Sequence, residues 1–299
     1  MARDQYEQQD PARQFPGPEE LGCQEQPHPG STARTDPVPD HGERSYRGRG
    51  RLRDRAAVIT GGDSGIGRAV AIAFAREGAD VLLTHLPEEQ DEAEATAALV
   101  AEAGRTAVTV AGDLRDEDHC AHVIRRAADA FGRIDILVNN AAYQQAVDGG
   151  IEDISTEQFD RVVRTNLHAM FWLCRGAVAH MRAGSVIINT SSIQAYQPSP
   201  ELMDHATAKG AIVTFTKALS AGLADRGIRV NSVAPGPIWT PLIPATMPAG
   251  KVDSFSAGTP LGRAGQPAEV AQLYVFLASQ ESGYVTGEVV GITGGQFLG

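Results

Sequence analysis

The chain has 299 residues, room for one large or two small domains, and its 42% hydrophobic and 21% charged composition excludes a wholly disordered polymer or a collagen-like fibre. With 26 Lys and Arg against 37 Asp and Glu the formal charge is −11, which works against a domain built to grip phosphate backbones, so no nucleic-acid partner is expected. Cys23, Cys120 and Cys174 match neither zinc nor disulfide spacing, and neither an apolar leader region nor a run of about 18 apolar residues occurs, so a cytoplasmic protein without a membrane partner is expected.

Residues 1–50 carry Pro11, Pro16, Pro18, Pro27, Pro29, Pro37 and Pro39 among Gln, Glu, Asp and Gly, with few aliphatic side chains. Such a stretch cannot bury enough apolar area to offset its ordering entropy, and it predicts a disordered or extended arm, ordered only where it lies against a folded surface. Its basic end, Arg44 to Arg55, reads as a solvated junction or a contact with an acidic neighbouring subunit.

From residue 51 to 299 the texture changes to short β-branched runs separated by alanine-rich amphipathic stretches. Strands are predicted at Ala56–Thr60, Asp80–Thr84, Ala107–Ala111, Ile136–Asn139, Ser185–Thr190, Ile228–Val233 and Val289–Ile292. Helices are predicted at Ile66–Glu77, Glu88–Ala103, Asp116–Phe131, Thr156–Met181, His205–Arg226 and Pro267–Ala278. Seven strands alternating with helices give an α/β class, a Rossmann-like doubly wound parallel sheet in a single domain. The segment Pro235–Gly265, rich in Pro, Gly and Thr, reads as one long loop of the kind that forms an active-site lid.

The strongest local signal follows the first strand: Thr60-Gly61-Gly62-Asp63-Ser64-Gly65-Ile66-Gly67, then a helical pattern. A glycine turn between buried strand and helix lets backbone approach a phosphate and aims free N–H groups and the helix dipole at it. At the end of the second strand, where a carboxylate ordinarily accepts the ribose hydroxyls and repels a 2′-phosphate, stands His85. With no acid at that position the site admits NADP as well as NAD, and His85 itself reads equally as an exposed strand end or a phosphate contact.

These motifs, with Gly112-Asp113-Leu114, Asn139-Asn140-Ala141-Ala142, Asn166, Ser191-Ser192, Lys209 and Pro235-Gly236 followed by Thr240, resemble the short-chain dehydrogenase/reductase family from about Leu52 to Gly299. The arm, with its Tyr46-Arg47-Gly48 junction, resembles a bacterial subgroup of NADP-using aldehyde or alcohol oxidoreductases and stress-associated proteins. The resemblance implies NADP held by Gly61, Asp63, Ser64, Gly65, Ile66 and Gly67, and by His85. It gives the adenine to Asp113 and Leu114, the cofactor trough to Asn139 and Ala141, and the nicotinamide ribose to Lys209. Pro235, Gly236, Ile238 and Thr240 would complete the site, and paired helices would assemble a homotetramer.

Family chemistry implies a Ser that holds the substrate oxygen, a Tyr that exchanges the proton, a Lys that lowers the Tyr pKa and an Asn that anchors a relay water. By resemblance these are Ser192, Lys209 and Asn166, but the Tyr position, thirteen residues after Ser192 and four before Lys209, holds His205. Imidazole can act as acid or base near neutral pH, but its ring falls roughly 2 Å short of a phenol's reach. Lys209 and an oxidised nicotinamide would both disfavour imidazolium, making His205 a plausible base for alcohol oxidation and a poor acid for carbonyl reduction. Tyr143 and Tyr196 read as pocket-wall aromatics, and Trp239, Leu242 and Ile243 as lid lining or subunit contacts. His119, His122, His168 and His180 lack a second ligand at metal spacing, so no metal is expected. Two functions follow: an oxidoreductase acting on a small aldehyde, ketone or alcohol, and a cofactor-binding protein without turnover.

Overall fold

The computed structural model describes residues 5–252 and 254–299. The β-branched runs form β1 (Ala56–Ile59), β2 (Asp80–His85), β3 (Ala107–Ala111), β4 (Ile136–Asn139), β5 (Val186–Thr190), β6 (Arg229–Pro235) and β7 (Val289–Ile292). All pair in parallel in the order β3-β2-β1-β4-β5-β6-β7. Connections leave β1 toward one edge and β4 toward the other, so a crevice opens at the carboxyl ends of β1 and β4, where open α/β sheets bind ligands.

Strand side chains alternate between two cores, as a period of two requires. Ala57, Ile59, Val81, Leu83, Ile136 and Val138 face α1 (Gly65–Arg76) and α9 (Pro267–Ala278), whereas Val58, Leu82, Leu137 and Ile187 face α3 (Glu117–Phe131) and α5 (Ala169–Ala177). Helix α2 (Gln90–Glu102) extends the first layer and α6 (Met203–Leu223) the second.

Two expected elements differ. The helix expected over Thr156–Met181 is divided into α4 (Thr156–Val163), a π-helical turn (Arg164–His168) and α5. Asn166 lies in that turn, where its Nδ2 donates to the Tyr143 carbonyl at 2.9 Å and its Oδ1 accepts the Tyr143 N–H at 2.7 Å. This tertiary clasp accompanies the widened turn, a feature that helical periodicity cannot register. The expected long loop contains two short helices, α7 (Leu242–Thr246) and α8 (Ala249–Val252), because Trp239, Ile243 and Val252 find a buried partner in the arm's Leu21.

Among its described residues that arm has little regular structure beyond 3₁₀ turns at Pro18–Glu20 and Thr32–Arg34, but it is fastened at several points. Arg263 donates to the Pro11 carbonyl, the Gln26 N–H to the Pro244 carbonyl, the Trp239 indole to the Pro37 carbonyl, and the Ala268 N–H to the Asp40 carbonyl. Its basic end is not a solvated junction throughout. Arg51 bonds Glu77 Oε1 at 2.7 Å, the Arg49 and Arg51 N–H groups donate to Glu77 Oε2, and the Tyr46 hydroxyl donates to Glu77 Oε1. A fully buried acid at the end of α1 thus collects the junction.

Candidate active site

The β1–α1 turn is shaped by glycine. Gly61 and Gly65 have φ of +60° and +50°, in the left-handed region, and a Cβ on Gly67 would lie 1.8 Å from the Gly61 carbonyl oxygen. The turn therefore folds tightly onto the start of α1, whose N-cap, Ser64, makes no side-chain capping bond. Backbone N–H groups at that end are left for a ligand, and the helix dipole favours an anion there.

A cleft of about 950 Å³ runs from this turn across the carboxyl ends of the strands. Its wall includes Gly61, Asp63, Ser64, Gly65 and Ile66 at the turn, His85, Asp113 and Leu114 at the ends of β2 and β3, Ala141 after β4, Pro235 at the end of β6, and Gly236, Ile238 and Thr240 beyond it. Ser192, His205 and Lys209 open into the same space. Gly67, Asn139 and Asn166 lie behind it. Gly67 serves close packing, and the Asn139 side chain turns into the sheet, donating to Asn189 Oδ1 at 2.9 Å. Asn166 borders, with Asn139, Thr190 and Lys209, a second cavity of about 10 Å³, close to the size of one water.

At the His205 end, burial and the neighbouring Lys209 ammonium push the imidazole down to about 3, so it is neutral at working pH. Its Nδ1 lies 3.5 Å from the Tyr143 carbonyl, which assigns the proton to Nδ1 and leaves Nε2 as an acceptor. Lys209 Nζ donates to the Thr190 carbonyl at 2.7 Å, and burial lowers its pKa to about 8. Ser192 Oγ accepts the Gln194 N–H at 3.1 Å, which leaves its hydroxyl proton available to a substrate oxygen. Tyr143 lines the cleft with its ring under the Arg161 guanidinium, 3.8 Å from the centroid, and the His28 ring meets it edge-on. Tyr196 does not line the cleft; Leu242 and Ile243 do, while Trp239 is wholly buried beneath the arm.

The other end departs from the sequence reading. His85 is buried rather than exposed: Nδ1 bonds the Leu86 carbonyl at 2.8 Å and Nε2 has no partner among the described residues. Nor is this end of the cleft without acids, because the fold brings Asp63, Glu88 and Glu89 to its wall. Glu89 accepts the Leu86 N–H at 2.9 Å, folding back onto the strand end. The Leu86-Pro87-Glu88-Glu89 run has the spacing of a helix-start box and is the signal that could have placed this acid. No local signal marks His28 and Pro29, which the arm lays along the cleft.

An all-parallel sheet with a glycine turn at its switch point, facing a Ser and a Lys across one cleft, defines a Rossmann-like oxidoreductase domain. A family model described as enoyl-(acyl carrier protein) reductase matches residues 61–296, and the chain belongs to the short-chain dehydrogenase/reductase family, oxidoreductases acting on CH–OH and carbonyl groups. The uncharacterized oxidoreductase YghA of Escherichia coli is 50% identical over 277 residues, 92% of this chain and 94% of that protein. That span exceeds residues 51–299, so the likeness reaches into the arm. The glucose and ribitol dehydrogenase of Daucus carota is 46% identical over 275 residues, 90% of this chain and 94% of that protein. A short-chain dehydrogenase from Burkholderia cenocepacia, solved with NADP, superposes with a TM-score of 0.77 at 32% identity, covering 82% of this chain and 98% of that one.

Proposed function

We propose that this protein is an NADP-dependent oxidoreductase interconverting a small alcohol with its aldehyde or ketone, with His205 at the proton-exchange position. The observation that carries the reading is the convergence of Ser192, His205 and Lys209 with the glycine turn on one cleft. The turn fits a dinucleotide: a Cβ on Gly65 would come within 3.2 Å of Thr240, and the start of α1 lacks a side-chain cap. The similar Burkholderia protein was solved with NADP, which supports that choice of cofactor.

When bound, the nicotinamide supplies or accepts the hydride. Ser192 donates its hydroxyl hydrogen to the substrate oxygen, and neutral His205 accepts a hydrogen bond from an alcohol at Nε2. Having no proton to give there, it holds an alcohol better than it protonates a carbonyl. Lys209, with its pKa near 8, gains acceptor character as pH rises past that value. Homotetrameric assembly and a cytoplasmic setting complete the reading, on the family resemblance and the composition.

The test follows NADP reduction with an alcohol panel that includes ribitol and glucose, the compounds in the carrot relative's name, and NADPH oxidation with aldehydes, from pH 6 to 10. Alcohol oxidation should rise with pH through about 8, and His205→Tyr should raise aldehyde reduction at least about tenfold. A wild type flat in both directions beside an active His205→Tyr would reject turnover. One observation favours a second reading, a cofactor-binding protein without turnover: an imidazole held neutral down to about pH 3 exchanges protons poorly. In that case NADPH raises the melting midpoint while every substrate fails.

A further inference from the structure

The carboxylates at the far end of the cleft take no part in the chemistry around His205. Asp63 enters from the glycine turn and Glu89 from the segment after β2, and both line the cleft where a dinucleotide's adenosine ribose is bound in such sheets. Asp63 is 1% exposed and its Oδ2 has no partner among the described residues. A separate side chain of another chemistry points the same way: His85, 3% exposed, presents an unpartnered Nε2 on the same wall. Buried acceptors without donors suit the hydroxyl donors of a ribose diol. A 2′-phosphate offers only further acceptors and negative charge.

The surrounding groups each have a partner of their own yet still act on the pair: Glu92 and Glu88 repel it, while Arg68 and the Ser64 hydroxyl favour the Asp63 carboxylate. Glu92 accepts from the Thr32 N–H and hydroxyl, Arg68 pairs with Glu43, and Glu88 faces His28. Burial and the repulsion of their neighbours raise Asp63 to about 6 and Glu89 to about 8. We propose that Asp63 and Glu89 set the choice between NAD and NADP, admitting the 2′-phosphate only as this pair takes up a proton. The inference rests on the dinucleotide reading above. Its sign follows from linkage: the pair is protonated at lower pH, so NADP affinity is greatest there and falls as pH rises, by up to about tenfold per pH unit for one proton exchanged. NAD, whose 2′-hydroxyl donates to a carboxyl oxygen whether or not the acid carries a proton, escapes that loss.

The experiment is calorimetric titration of the full chain with NADP and with NAD at pH 6.5, 7.5 and 8.5, in two buffers of different ionisation enthalpy. The Kd for NADP should weaken at least about tenfold across that range with net proton uptake, and that for NAD less than about threefold. Glu89→Gln and Asp63→Asn should each flatten the NADP profile and tighten NADP relative to NAD. Parallel profiles for the two cofactors in the wild type overturn the proposal, as does a steep NADP profile retained in both variants, which assigns the slope to the phosphate's own ionisation. Should a variant not fold, phosphorus NMR of bound NADP decides on the wild type: a 2′-phosphate that stays dianionic while protons are taken up assigns the uptake to the protein, and one that titrates with the uptake overturns the proposal. If neither dinucleotide binds, the cofactor reading fails as well; if both bind with parallel profiles, only this inference fails.

Discussion

His205 lies one helical turn before Lys209 and is 5% exposed, and burial with the nearby ammonium keeps its ring uncharged. Because its pKa falls from 6.5 to about 3 on folding, the unfolded chain binds the extra proton between those values. Stability from this group is therefore present above pH 6.5 and lost as pH falls toward 3, by about 1.4 kcal/mol per pH unit. In urea titrations at pH 7, 5.5 and 4.5 the wild type should lose stability relative to His205→Gln, and a constant difference between them would contradict the neutral ring. The position was legible because spacing from Ser192 and from Lys209 meets on one residue. The Tyr143 carbonyl facing its Nδ1 was not, since 62 residues separate the two and only the fold joins them.

Among the elements, α1 owes its placement to both ends. Its first turn needs Gly67 to pass the Gly61 carbonyl, and at its far end the buried Glu77 gathers Tyr46, Arg49 and Arg51. Those donors hold the Glu77 carboxyl near 2, below its ordinary range, despite burial. Removing the charge while keeping the shape leaves the Arg51 guanidinium with a weaker acceptor, and breaking a buried ion pair costs about 3–5 kcal/mol. Glu77→Gln should lower unfolding stability by about that amount in denaturant titration and loosen the arm junction to limited proteolysis between residues 40 and 55. A loss below about 1 kcal/mol would show the cluster to be ornamental. The strands, the glycine turn and most helices were legible from β-branched runs and amphipathic spacing. The π turn at Asn166, the helices between Pro235 and Gly265 and the Asp63–Glu89 juxtaposition were not, because each is set by a partner distant in sequence.

For the molecule as a whole, the arm is a third layer of packing. Leu21 closes a small core with Trp239, Ile243, Val252 and Ala264, and His28 and Pro29 border the cleft between the lid and α2. Its irregular backbone was legible from proline content, but its docking was not, since it depends more on carbonyl acceptors than on apolar residues. Deleting residues 1–50 exposes the Trp239 indole, now bonded to Pro37, and opens one wall of the cleft. The truncated chain should show red-shifted tryptophan fluorescence, a lower melting midpoint and weaker NADPH binding; unchanged emission would mean that Trp239 stays covered without the arm.

The arm's fastenings also carry a consequence for the order of events at the ribosome. Pro11, Gln14, Pro37 and Asp40 leave the exit tunnel well ahead of their partners Arg263, Glu269, Trp239 and Gln266, which follow more than 200 residues later. Tyr46 and Arg49 can bond Glu77, and Thr32 can bond Glu92, soon after they are made, but the contacts of Pro11, Gln14, Pro37 and Asp40 must wait for the last elements of the fold. The outer part of the arm is thus seated long after it is made, once the segment from Trp239 to Glu269 has emerged.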